Sequence, residues 1–70
     1  MNINFAVDKA FEGKTLKELA NSPIHALQGL TPADGELLQK AMGVKTIGDL
    51  GSNKFVRWAQ AIAILAEKEQ

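Results

Sequence analysis

The chain has no cysteine and no tyrosine, one tryptophan, three phenylalanines, two prolines and a single histidine in 70 residues. Without cysteine no disulfide or thiolate–metal staple can supplement the core, and nothing points to an oxidising compartment. One histidine and no thiol leave a nucleophile–base–acid triad, or a histidine-rich metal site, without its parts. The expectation is therefore no enzyme, no cofactor and no metal. A net charge is also missing: eight basic and eight acidic side chains cancel. That removes the broad positive field expected of a general nucleic-acid binder. The charges are interspersed, as in Lys17-Glu18 and Glu67-Lys68-Glu69, the pattern of an ordinary solvated surface. Nowhere do about 18 apolar residues run uninterrupted, and "MNINFAVDKAF" lacks a basic start followed by an apolar stretch. These absences predict no membrane span, no export signal and a cytoplasmic location. The Met1 start and polar "EKEQ" end are consistent with a complete small protein.

What is present favours short helices around a small core. A chain this short buries roughly 60% of the surface that its unfolded form exposes, and its core alone supplies about 3–5 kcal/mol. Residues 1–13 read as an extended N-terminal arm, because Ile3, Phe5 and Val7 alternate with Asn2, Asn4 and Asp8 at period two. A lone strand must lie over the helices, pair with a copy of itself or stay loose.

From residue 14 to 70 the period becomes helical. Thr15 and Glu18 have capping-box spacing, and Leu16, Leu19 and Ala20 share the face that follows. Ser22 as cap with Pro23 at the first helical position predicts a second short helix carrying Ile24 and Leu27. Thr31-Pro32 repeats the device and opens a third helix, with a Leu37, Leu38, Ala41 and Met42 stripe and Gly43 as a left-handed stop. Thr46 and Asp49 cap a single-turn fourth helix with Ile47 and Leu50 inward. The fifth and longest, from Lys54 to Glu67, places Phe55, Trp58, Ala59, Ile62, Leu65 and Ala66 on one face, predicted to line the core with Trp58 as its anchor. "KTLKELANS" and "KTIGDLGSN" echo one another, either as two related helical pairs or as two uses of one capping solution. The predicted fold is thus all-α: a compact bundle of about five short helices behind the extended arm.

"KTLKELANSPIHALQGLTPADGELLQKAMGVKTIGDL", from Lys14 to Leu50, resembles the tandem helix-hairpin-helix pattern, with its "T-x-x-x-L" helix, apolar-Gly-apolar turn and "G-V-x-T-x-x-D-L" close. The resemblance implies a helix-hairpin-helix-like centre to the bundle. In that family the turn is usually Gly-apolar-Gly, whose close backbone amides and following helix N-terminus can meet a phosphate. Here the turn is Gly29-Leu30-Thr31. Thr31 is positioned to spend its hydroxyl on a cap, and Asp34 and Glu36 place acids where a phosphate reader keeps small or basic side chains. The pattern implies weak, sequence-independent nucleic-acid binding through Gly29, Leu30 and Thr31 with Lys40, Lys45, Lys54 and Arg57, a reading disfavoured beside that of a fold-defining turn.

The last helix is apolar on more than one side. Ile64 falls opposite Phe55 and Ile62, beside Arg57 and Gln60, while Val56 and Ala63 flank the predicted core stripe. The reading is a non-catalytic interaction module that binds a protein partner or its own copy through Val56, Gln60, Ala63 and Ile64, with Ile3 and Phe5 of the arm. An accessory subunit of a larger enzyme is a further alternative. His25, on a short helix between Ile24 and Ala26, reads as a partly buried or surface residue.

Overall fold

The structure, a computed structural model, describes residues 2–69. It is all-α, built from four helices, α1 (Leu16–Ala20), α2 (Pro32–Met42), α3 (Ile47–Ser52) and α4 (Lys54–Lys68), with single 3₁₀ turns at Ile3–Phe5, Lys9–Phe11 and Ile24–Ala26.

Three of the four helices start on the same local chemistry. In α1, α2 and α3 a threonine hydroxyl (Thr15, Thr31, Thr46) accepts from the backbone N–H three residues on. The acid there (Glu18, Asp34, Asp49) accepts in return from the threonine N–H. Each box satisfies two amides that a helix start otherwise leaves open. α2 ends where the left-handed Gly43 (φ 71°) donates its N–H to Gln39, as the sequence predicts.

Two sequence expectations are corrected here. The period-two segment is not a strand or extended arm: Ile3–Phe5 and Lys9–Phe11 each close a 3₁₀ turn, and Asn4 accepts from the N–H of Gly13 through its side-chain oxygen. Extended character survives only around Val7. There Asp8 N–H donates to Ala26 and Gln28 N–H to Ala6, at 2.7 and 2.9 Å. Among the described residues its bridge partner is the three-residue Ala26–Gln28 backbone, so the segment is extended only there and turns on either side. The predicted second helix is a 3₁₀ turn, and Pro23, not Ser22, stands at its cap position. Ser22 instead donates its hydroxyl backward to the Glu18 carbonyl at 2.8 Å, closing α1.

The buried core is Val7, Leu19, Ile24, Ala26 and Val44, so it draws on the N-terminal segment, α1, the central 3₁₀ turn and the α2–α3 connection. The two echoing segments meet within it. α1 packs on α3, Ile47 N–H donates to the Ser22 carbonyl at 3.0 Å, and Pro23 bridges to Thr46. At the contact Gly48 lies against the end of α1, where a Cβ would meet the Ala20 carbonyl oxygen at 2.9 Å.

The largest correction concerns α4. The face predicted to line the core is exposed: Phe55 at 58%, Trp58 at 57%, Ile62 at 69% and Leu65 at 66%. The stripe of α2 is also incompletely covered, with Leu37 exposed and Leu38 and Met42 half-buried. α4 leans on α3, and Val56 is its one half-buried residue among those described. Trp58 is a surface residue and not a core anchor.

Candidate interaction surface

The stripe on α4 begins with its cap. Asn53 accepts through its side-chain oxygen from the N–H groups of Phe55 and Val56, at 2.9 and 3.2 Å. No glycine or proline interrupts the 15 residues that follow, about 22 Å of helix at 1.5 Å per residue. Phe55, Trp58, Ile62 and Leu65 are spaced three, four, three, and at 3.6 residues per turn they form one narrow line. Phe55 and Trp58 meet edge to face, ring centres 5.7 Å apart at 86°, the arrangement that the aromatic quadrupole favours. Lys54 closes over both, with its Nζ 5.1 Å from the Phe55 ring centre and 5.7 Å from that of Trp58. Val56 lies about 100° round the helix from Phe55, so contact with α3 leaves the line free.

The residues singled out for a partner from sequence fall in three places. Val56 is half-buried toward α3; Gln60, Ala63 and Ile64 are exposed along the rest of α4; and Phe5 is exposed on the N-terminal turn. Ile3 is half-buried and lines an apolar groove of about 280 Å³ with Val7, Leu16, Leu19, Leu27 and Ile47. Sequence reasoning missed Phe55, Trp58, Ile62 and Leu65 as surface residues. With Ala59 and Ala66 the stripe has the width of a core-facing face, so its spacing carries no signal of exposure.

The hairpin turn is built as a cap. Gly29 takes φ 98°, a left-handed conformation. Leu30 N–H donates to the Leu27 carbonyl, Thr31 N–H to the Asp34 carboxylate at 2.9 Å and Asp34 N–H to the Thr31 hydroxyl at 3.2 Å. Pro32 has no N–H. These four amide positions are thus unavailable to a phosphate, and the Asp34 carboxylate stands at the opening. Lys40 is in the last turn of α2. Lys45 lines a shallow depression of about 230 Å³ with Pro23, His25, Pro32, Glu36 and Gln39. Lys54 and Arg57 lie in the first turn of α4, with Lys54 turned onto the aromatics.

His25 is half-buried, its ring edge-on to Phe11 at 6.5 Å. Among the described residues no three metal-capable side chains cluster, and no helix is long and apolar enough to cross a membrane. Two acids are perturbed. Hydrogen bonds from the Thr15 backbone and hydroxyl hold the Glu18 carboxyl below its ordinary value. The backbone amides of Lys45 and Thr46 do the same for Asp49. Both shifts belong to caps. Comparison with protein families, with curated proteins and with solved structures finds no match.

Proposed function

We propose that this chain is a non-catalytic interaction module that docks a protein partner through the Phe55, Trp58, Ile62 and Leu65 face of α4. One observation carries the reading: four large apolar side chains, each more than half exposed, stand in line on a capped, uninterrupted helix. An exposed apolar line of this kind marks an interaction site more often than a solvated surface. No α4 residue belongs to the buried core.

Nucleic-acid binding through Gly29, Leu30 and Thr31 has weaker support, because the Thr31–Asp34 box engages the Thr31 and Asp34 amides and sets a carboxylate beside the turn. The test is affinity capture from cell extract with the native chain and with an Ile62→Asp/Leu65→Asp double variant. The expected result is a partner held by the native chain and lost with the variant, at unchanged helical circular dichroism. Identical capture by both would overturn the reading. A consistently captured enzyme would identify the chain as an accessory subunit.

A further inference from the structure

We propose that the occupant of the α4 face is α4 of a second copy of this chain, paired antiparallel about a two-fold axis at the level of Gln60. The proposal rests on the reading of α4 as a docking face and adds the identity and orientation of what docks there.

The first reason is the spacing. Three, four, three reads the same from either end, so an antiparallel copy brings Phe55 against the partner's Leu65 and Trp58 against the partner's Ile62, and the converse. Four layers form, each with one aromatic and one aliphatic residue. Alternating large and small side chains across facing positions fills a seam evenly. The parallel arrangement sets Phe55 on Phe55 and Trp58 on Trp58 at one end, with only aliphatics at the other, and splays the helices.

The flanks agree. Ala59 and Ala61 lie on either side of the stripe next to the two-fold axis, and Ala66 follows on the Ala59 side. Small residues there let the two backbones approach closely. The helix dipoles also oppose, which is the favourable sense.

The area suffices. An aromatic side chain offers about 150–250 Å², and these four residues remain 57–69% exposed. Each copy therefore presents on the order of 500 Å² with its alanines, and two copies bury at most roughly 1,000 Å², the range of weak, transient interfaces. The geometry predicts a reversible dimer and not a permanent one.

The chain has no cysteine, so single cysteines report orientation cleanly. Sedimentation velocity over a concentration series is combined with a short thiol-specific cross-linker on Ala61→Cys and Glu69→Cys. In the antiparallel dimer the two positions 61 lie beside the axis, while the two positions 69 are separated by about 27 Å along it. The expected result is a concentration-dependent dimer, blue-shifted Trp58 emission on association, cross-linking at 61 and none at 69. Ile62→Asp should weaken association at least tenfold while circular dichroism stays unchanged. Cross-linking at 69 would overturn the orientation. A chain that stays monomeric with Trp58 open to iodide quenching would overturn the second copy and leave the docking face intact. A monomer with Trp58 shielded would overturn both, because the chain's own residues would then cover the face.

Discussion

At the scale of single residues, Gly48 sits where a Cβ would meet the Ala20 carbonyl oxygen at the end of α1. The Thr15–Glu18, Thr31–Asp34 and Thr46–Asp49 boxes follow from residues three apart, and all three form. Gly48 had no such signal, because its neighbour is Ala20, 28 positions earlier. In an ordinary helix, alanine for glycine stabilises by about 1 kcal/mol. Here the added methyl would meet the Ala20 carbonyl at 2.9 Å, and relieving a backbone clash of that kind costs about 1–3 kcal/mol. Gly48→Ala is therefore expected to lower stability in urea unfolding, against the helix-propensity trend, while Gly51→Ala, with open space around it, should not. The caps set the response to acid. The carboxyls of Glu18 and Asp49 are held low in the folded chain by the amides that they accept from. Their stabilisation is complete above the ordinary carboxylate pKa of about 4. It is lost as pH falls through the lower folded values. Thermal unfolding followed by circular dichroism should show a Tm that is flat near neutrality and declines below about pH 4. Replacing both with Gln and Asn should reduce that decline.

At the scale of elements, period revealed that a face exists but not what covers it. α4 has the predicted helical stripe over the predicted residues, yet the stripe points to solvent, because the buried residues Val7, Leu19, Ile24, Ala26 and Val44 all come from other elements. The N-terminal segment shows the complementary failure. Alternation over seven residues is a strand signal only if a partner strand exists, and only the Ala26–Gln28 backbone is available to Val7. The same contrast separates two substitutions of similar chemistry. Ile24 is 1% exposed, so Ile24→Ala should cost about 2–5 kcal/mol. That is comparable to the whole stability expected of so small a core, and the variant should be largely unfolded by circular dichroism. Ile62→Ala, at 69% exposure, should stay within about 0.5 kcal/mol of the native chain at concentrations where it is monomeric.

At the scale of the whole molecule, dimensions carry the consequence. A compact 70-residue chain has a radius of gyration of about 11 Å, whereas this one has 13.4 Å, with extents of 42 × 30 × 20 Å. The excess fits a helix that projects beside a small core, and a five-helix bundle folded around Trp58 would not show it. Such a shape gives the proposed association a thermodynamic signature that separates it from phosphate contact. Burial of an apolar stripe is strengthened by excluded salts such as sulfate, whereas contacts made by Lys40, Lys45, Lys54 and Arg57 to phosphates would weaken steeply as counterions compete. Raising sulfate should therefore shift the monomer–dimer balance toward dimer in sedimentation, and the radius of gyration from solution scattering should rise from its dilute-limit value only as dimer appears. A balance that shifts toward monomer with salt would place the dominant contact on charges, and the apolar line of α4 would no longer account for it.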